Sequence, residues 1–426
     1  MPAAPFVEPN AVLSRLEGLG IKLGLERARD LLAGLGDPQL AYPTVLVAGS
    51  NGKGSTSALL AAMATAAGYR TGLYTSPHLE TVEECLRIDG WPIPTERLGA
   101  LLARLIPVAE RETGTPPTSF EALTAAAFLW FAEEKVGLGV TEVGLGGRLD
   151  ATNLCDPLLS IVTSISLEHQ EFLGDTLDAI ARQKAGTFRS GRPALAWVED
   201  PEPAAALRDI AVSLGTDLRF APDLVHVESA ATEVWTGQRV RLATPVRAYD
   251  LRIHLLGEHQ RKNLALAVLA AEILGEKVFP RLDAAAITAG AAACRWAGRL
   301  EVFDLPLGRH LILDAAHNAE GVAALAAFLA TLDRPVDILF GVLADKAVAE
   351  MLALLAPHTR NLVLTTPPNP RAKDPAEVAA LLGDGPGVIV EPDPERALER
   401  LLELGGEVAV VCGSIYLIGE LRGRVR

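Results

Sequence analysis

No two cysteines in this chain stand close enough to act together. Cys85, Cys155, Cys294 and Cys412 are widely separated and form no CxxC. A disulfide framework and a cysteine-based zinc site are therefore poor organising principles, and isolated core thiols in a reducing cytoplasm are the economical reading. Long apolar runs are also missing. Charges interrupt the hydrophobic stretches well before the ~20 residues that a spanning helix needs, so no membrane segment is expected. The N-terminus, MPAAPFVEPN, lacks the basic and apolar blocks of a secretory leader. Positive charge is scarce: 39 Lys and Arg stand against 53 Asp and Glu, a net charge of −14. Binding to nucleic acid or to an anionic membrane through the global field is disfavoured, whereas a local cationic pocket for an anionic ligand is not. Internal repeats and low-complexity tails are absent, as are a Ser/His/Asp set for covalent catalysis and a Cys/His cluster of zinc spacing. What the 426 residues do supply is apolar: 49% are hydrophobic and 22% charged, enough for a large core in two or three domains.

The rest of the chain is organised around Thr44 to Thr56, TVLVAGSNGKGST. Thr44, Val45, Leu46 and Val47 form a β-branched, apolar run that reads as a buried strand. It breaks into the glycine loop Gly49-Ser50-Asn51-Gly52-Lys53-Gly54-Ser55, and an Ala- and Leu-rich helix is expected from Thr56 to Ala67. Strand, glycine loop and helix N-terminus together make an anion site, because backbone N–H groups and the helix dipole both favour negative charge there. Lys53 can reach terminal phosphates and Ser55 can meet them or a Mg²⁺ shell. The spacing departs from the usual Gly-x4-Gly-Lys-Ser/Thr: two residues separate Gly49 from Gly52, and Gly54 intervenes before Ser55. A tight strand-to-helix connection is the plainer alternative, and the coincidence of strand, glycines, lysine and hydroxyl argues for phosphate.

Two short helices are expected within residues 11–40, where the stretch from Ile21 to Arg27 carries polar residues in an apolar context. A strand from Tyr69 to Thr75 ends at Ser76-Pro77-His78, helices suit 95–112 and 119–136, and Thr118 or Ser119 can cap the second with Glu121 in its first turn. A strand at Val140 runs into Glu142 and the glycine-rich loop through Arg148 and Asp150; another, from Leu158 to Ser166, runs into Glu168 and His169; a helix from Leu177 carries Lys184. This alternation predicts a doubly wound, mostly parallel sheet, with the loop at Gly49, Ser76, Glu142 and His169 all following strand carboxyl ends, where such sheets bind ligands. Residues 193–257 read as a small antiparallel subdomain, Cys294 to Arg299 as a hinge, and the remainder as a second α/β domain with strands near 300–305, 310–315, 335–342, 361–366, 387–391 and 407–412. Glu142 and the Ser76 hydroxyl suit Mg²⁺, and His169 a softer position. Ser76 also fits a plain turn, His169 a surface loop, and Asp314 with His317 a strand-end cap pair. Phosphoryl transfer by positioning and charge neutralisation is the chemistry these residues suggest.

The motifs VAGSNGKGST (47–56), YTSPHL (74–79), EVGLGGRLDATN (142–153), TSISLEHQEFLG (163–174), HQRKN (259–263), AGRLE (297–301) and DAAHN (314–318), in this order, make the chain resemble the folylpolyglutamate synthase/dihydrofolate synthase family, a branch of the Mur-ligase-like ATP-dependent amide ligases. LGLER (23–27), QKAGTFR (183–189) and VCGS (411–414) extend the similarity nearly end to end. The resemblance implies an ATP-binding, Mur-ligase-like part over residues 1–295, with the small antiparallel subdomain at about 190–257, and a Rossmann-like C-terminal α/β ligase domain over 296–426. It implies that ATP phosphorylates the carboxylate of a folate or dihydropteroate and that L-glutamate attacks the mixed anhydride. The loop Gly49 to Ser55 then holds phosphates, with Lys53 catalytic. Ser76, Glu142 and His169 become Mg²⁺ ligands, two ions being expected. Asn263, Arg299, Asp314 and His317 contact or neighbour the nucleotide. The pterin lies near Arg27, Ser119, Phe120, Arg148 and Asp150. From its residues alone Lys184 reads as a solvated helix lysine; the matching lysine of related ligases is carbamylated by CO₂, so the resemblance implies a catalytic metal ligand of carboxylate character there. Glu168 stands where the family commonly has aspartate, and Ser119 where an aromatic residue is common. A cytoplasmic monomer that handles small molecules, with no nucleic-acid or membrane partner, is the expectation.

Overall fold

The computed structural model describes residues 7–425 apart from 19, 21, 23 and 383–386, so Ile21 and Leu23 of the motifs above lie outside the described residues. The chain divides into two compact units. The first takes residues up to 229, 240–251 and 262–294; the second takes 230–239, 252–261 and 295–426.

In the first unit, helices α1 (Pro9–Glu17) and α2 (Glu26–Gly34) precede strand β1 (Thr44–Ala48). Every residue of β1 is buried, as a parallel strand covered on both faces requires. Helix α3 (Lys53–Ala66) begins three residues earlier than its composition suggests, because Gly52 takes the N-cap with φ 86°. Lys53 and Ser55 therefore belong to the first helical turn rather than to the loop. Strands β2 (Thr71–Tyr74), β3 (Leu86–Ile88) and β4 (Trp91–Pro92), helices α4 (Thr95–Thr113) and α5 (Ser119–Glu133), and strands β5 (Leu138–Glu142) and β6 (Pro157–Val162) follow. Strand β6 stops at Val162 instead of running to Ser166, since the hydroxyls of Thr163 and Ser164 and the backbone of Ser166 bond to the glycine loop. Short α6 (Gln170–Leu173), α7 (Leu177–Ala185), β7 (Pro193–Ala196), α8 (Pro201–Leu214) and β8 (Asp217–Phe220) complete the alternation.

Among the described residues these strands form an eight-stranded sheet of order β4-β3-β2-β5-β1-β6-β7-β8. It is parallel from β2 to β8, with β3 and β4 added antiparallel at one edge. A small antiparallel sheet is present as expected, but its start near residue 190 is corrected here. β7 and β8 continue the parallel sheet, as the fully buried run Ala194-Leu195-Ala196 allows. Period-two burial appears only later, in β10 (Gly237–Ala243) and β11 (Ala248–Ile253), which with β9 (His226–Glu233) make a three-stranded sheet of order β11-β10-β9. Helices α9 (His259–Lys277) and α10 (Ala284–Ala293) follow. One face of the large sheet packs Leu46 and Tyr74 against Leu31, Leu102, Phe128 and Phe131 of α2, α4 and α5. Ala194, Ala196 and Val162 pack with Ala181 and Leu207 of α7 and α8.

The second unit carries β12 (Glu301–Leu305), β13 (Arg309–Leu313), α11 (Ala319–Ala330), β14 (Val336–Phe340), α12 (Val348–Leu355), β15 (Thr359–Leu364), α13 (Pro375–Ala380), β16 (Val388–Val390), α14 (Pro394–Glu403), β17 (Val408–Cys412) and α15 (Ile415–Arg422). Among the described residues its strands take the order β12-β13-β17-β14-β15-β16, antiparallel between β12 and β13 and parallel elsewhere. Ile312, Ile338, Phe340 and Val410 meet Leu325, Phe328 and Met351 in a core of their own.

Candidate active site

The loop after β1 is pressed onto the end of its parallel neighbour β6. Gly49 has φ 145°, and a Cβ there would lie 1.9 Å from Thr163 Oγ1, so no side chain fits. Ser50 N–H donates to the Ser164 carbonyl at 2.9 Å, Asn51 N–H to Ser164 Oγ at 3.0 Å, Thr163 Oγ1 to the Asn51 carbonyl at 2.6 Å, and Ser166 N–H to Ser50 Oγ at 2.9 Å. These bonds fix the loop before any ligand arrives, which lowers the reorganisation needed to bind one. Lys53 Nζ donates to the Gly49 and Ser50 carbonyls at 2.8 and 3.0 Å. Neutral carbonyls orient the ammonium without cancelling its charge. Asn263, buried at the start of α9, accepts from Thr56 Oγ1 at 3.4 Å. Its Oδ1 would be 2.3 Å from a Cβ at Gly52. Asn263 is thus brought to the loop as expected; the clasp by Thr163, Ser164 and Ser166 was not anticipated, although a hydroxyl-rich TSIS directly after a central strand is its signal.

Glu142 ends β5, is buried, and accepts from the Ser76 N–H beyond β2 at 3.4 Å. His169 precedes α6 in a left-handed conformation, φ 46°. Lys184, on α7, is only 1% exposed, and its Nζ lies 2.7 Å from Glu168 Oε1. Burial pushes the Glu168 carboxyl up, but Lys53, Lys184 and hydrogen bonds from Lys184 and Ser50 outweigh it and hold the group at about 2. Glu168 therefore joins the loop to Lys184, a contact the sequence pattern did not reveal. In this form Lys184 is a hydrogen-bond donor and offers a metal no lone pair. Among the described residues no three His, Cys, Asp or Glu side chains gather closely enough to cage a metal. The Glu142 carboxylate and the Ser76 hydroxyl beside the glycine loop suit Mg²⁺, which keeps waters and bridges to phosphate oxygens.

The residues expected at the pterin form a third group. Thr118 caps α5 in a reciprocal box with Glu121, and Arg27 of α2 pairs with Glu121 at 2.8 Å. Ser119 is therefore the first residue of a rigidly capped helix. Phe120 packs on Gly144, where a Cβ would lie 2.5 Å from its ring and 3.2 Å from Asp150 Oδ2. Asp150 is buried and committed to its own loop: it accepts from Leu145 N–H at 2.8 Å and from the Thr152 N–H and Oγ1 at 3.0 and 2.5 Å. Burial raises its carboxyl, with those bonds opposing. It shapes the wall beside Phe120 from behind. Arg148 is exposed, with Nε 3.3 Å from Gln183 Oε1.

Arg299, Asp314 and His317 belong to the second unit. Asp314 directly follows β13, is buried, and accepts from Leu300 N–H at 2.7 Å and Ala316 N–H at 2.9 Å. Burial raises its carboxyl, opposed by Arg299 and these two bonds. His317 Nδ1 lies 2.8 Å from the Ala315 carbonyl, which makes that nitrogen the donor. Their nucleotide role rests on the resemblance alone.

The Mur ligase middle domain matches residues 47–271 and the Mur ligase glutamate ligase domain residues 298–415. The dihydrofolate synthase/folylpolyglutamate synthase of Bacillus subtilis is 34% identical, covering 96% of each chain. The chain belongs to the folylpolyglutamate synthase/dihydrofolate synthase family. Among solved members of this family, the Mycobacterium tuberculosis folylpolyglutamate synthase complexed with ADP superposes with a TM-score of 0.89 at 31% identity, over 98% of this chain and 99% of that one. The bifunctional folylpolyglutamate synthase/dihydrofolate synthase of Yersinia pestis, complexed with AMPPNP and a Mn ion, gives 0.86 at 30% identity over 100% and 99%. The family's mixed α/β architecture, with its large mostly parallel sheet, is the one found here. No helix among the described residues is long and apolar enough to cross a membrane.

Proposed function

We propose that this chain is an ATP-dependent ligase that joins L-glutamate to the carboxylate of a folate, and of dihydropteroate, through an acyl phosphate. The observation that carries the reading is the convergence, at the carboxyl ends of β1, β5 and β6, of a pre-clasped glycine loop, Lys53, buried Glu142 and the Glu168–Lys184 pair. In the first step a substrate carboxylate oxygen attacks the γ-phosphorus of ATP; the bond to the bridging oxygen breaks and ADP leaves. The Lys53 ammonium, held on its two carbonyls, neutralises charge on the phosphoryl group as it transfers. In the second step the glutamate amine attacks the acyl carbon, phosphate leaves, and the amine gives up a proton to form the amide. The capped start of α5, with Ser119 and Phe120, and Arg27 behind it hold the acid in line. Mg²⁺, two ions in this reading, supplies further charge neutralisation, with Ser76, Glu142 and His169 as its protein ligands.

Lys184 completes the reading as a carbamate. Its ammonium first gives up a proton, and the neutral amine then adds CO₂ and loses a second, which exchanges a buried cation for an anion with oxygen ligands suited to Mg²⁺. Formation of that carbamate releases Glu168 from its ion pair.

The test is ADP release from ATP in the presence of each substrate combination. A ligase releases ADP stoichiometrically with amide, and only when both a pteroate-type acid and glutamate are supplied. Steady ADP release with neither would identify a P-loop ATPase instead. Comparing dihydropteroate with a reduced folate in the same assay separates dihydrofolate synthesis from polyglutamylation.

A further inference from the structure

The second unit holds a cavity of about 280 Å³ that none of the residues above uses. That is near the low end of small-molecule sites, about 300–1,000 Å³, room for a bicyclic ring rather than a whole nucleotide. One wall is aromatic: Trp235 and His310 stack with ring centroids 3.9 Å apart and planes at 22°, and Asp304 Oδ1 holds the imidazole through Nδ1 at 3.1 Å. Leu332 and Val408, both buried, contribute apolar surface. Arg334 and Glu407 line the same cavity and form an ion pair. Their side chains remain 53% and 70% exposed, so the pair does not exhaust them: a guanidinium carries five donors and a carboxylate two acceptor oxygens. Gly308 also lines the cavity, and its neighbour Leu307 is 98% exposed in a left-handed conformation, φ 64°. An apolar side chain held in strained backbone and in water is a costly arrangement in a free protein, of the kind found at ligand sites.

We propose that this cavity binds a flat heterocycle carrying the amino–imino–oxo edge common to guanine and pterin rings. A donor group beside an acceptor group at the mouth of an aromatic-walled cavity is the complement of that edge. The ring carbonyl accepts from Arg334, as guanine O6 does from arginine elsewhere. The adjacent ring N–H and amino group donate to the Glu407 carboxylate in charge-assisted bonds. The ring itself lies against Trp235 and His310, where offset stacking adds to the apolar burial. An adenine edge places its donor and acceptor the other way round and is rejected. The site is separate from the ligase residues of the first unit and does not depend on the proposed reaction.

The test is isothermal titration of the full chain with guanosine, pterin and adenosine as probes, on wild type and on Glu407→Gln, Arg334→Ala and Trp235→Ala. The first two substitutions are at exposed positions and leave the fold intact. Guanosine or pterin is expected to bind wild type and to lose about tenfold or more in affinity in each variant, while adenosine binds at least tenfold more weakly than the better of the two. Pterin can also enter the proposed substrate pocket, so a second equivalent that survives in Glu407→Gln is assigned there. Binding of guanosine and pterin alike identifies the shared edge; binding of one alone identifies the source. The ligation rate is expected to be unchanged in all three variants. Wild-type ligation that is absent overturns the ligase reading and leaves this one standing. Affinities unaltered in all three variants, equal affinity for adenosine, or no binding of guanosine or pterin overturns the site.

Discussion

Lys53 is held in place before any substrate arrives, as its proposed role in phosphoryl transfer requires. Its ammonium rests on the Gly49 and Ser50 carbonyls, so removal takes away charge from the transferring phosphoryl group, while buried Glu168 loses one neighbouring cation and keeps its pair with Lys184. Lys53→Ala should therefore lower kcat by about 10²–10³-fold with the thermal midpoint nearly unchanged; a variant that keeps half the wild-type rate would refute the phosphate assignment. Glu168 behaves differently, because it balances cations. Its folded value of about 2 lies below the ordinary 4.5, so the stability it contributes is present above pH 4.5 and is lost as pH falls through 2. The shift corresponds to about 3 kcal/mol. In metal-free, bicarbonate-free buffer, the gap in urea stability between wild type and Glu168→Gln should narrow across that window, and a gap independent of pH would count against the pairing. Lys184 tests the carbamate: Lys184→Ala should lose most activity and regain part of it with small added carboxylates, whereas Lys184→Arg, cationic and unable to add CO₂, should be as poor as alanine. Full activity in the arginine variant sinks the carbamate.

At the level of elements, the proposed reaction puts the acid-binding side at the capped start of α5. Thr118 and Glu121 close the box, and Arg27 ties Glu121 to α2. Thr118→Ala should cost about 1 kcal/mol of stability and raise the KM for the folate or dihydropteroate while the KM for ATP stays put; an equal rise in both would show that the cap does not act through the acid site. This box could be read directly from Thr118 and Glu121, since caps depend on residues three apart. The parallel order around β1 was likewise legible, because a buried β-branched strand followed by glycine and helix fixes the local path. Other features depended on partners distant in sequence. Nothing local to residues 193–220 says whether a four-residue apolar strand pairs parallel with β6 or starts an antiparallel sheet, and the expectation failed there. The end of β6 was misplaced for the same reason: Thr163 to Ser166 has good strand propensity, and only the glycine loop, more than a hundred residues earlier, claims its hydroxyls. Glu168 and Lys184 were each singled out from the sequence, yet their contact depends on the packing of α7 and could not be read.

The whole molecule has two compact units with separate apolar cores, one built on Leu46, Phe128 and Phe131 and the other on Ile338, Phe340 and Val410. Separate cores give each unit its own cooperative melting, so a single two-state transition is not expected. In scanning calorimetry the calorimetric enthalpy should exceed the van't Hoff enthalpy, and the trace should resolve into two components. The glycine loop, Lys53 and Asn263 all lie in the first unit. Ligand that binds only the folded form stabilises by RT ln(1 + [L]/Kd), about 2.7 kcal/mol at a hundred times Kd. Mg²⁺·ADP should therefore raise the component that belongs to the first unit. The assignment can be made with substitutions that touch one core each: Phe128→Leu should lower the nucleotide-responsive component, and Ile338→Val the other. Lys53→Ala should then abolish most of the nucleotide-induced rise while leaving both components in place without ligand, because its hydrogen bonds go to loop carbonyls and Glu168 keeps its pair with Lys184. A single transition with equal enthalpies would show that the two cores melt as one. A nucleotide shift undiminished in Lys53→Ala would place the phosphate somewhere other than this loop, whatever the activity measurements say.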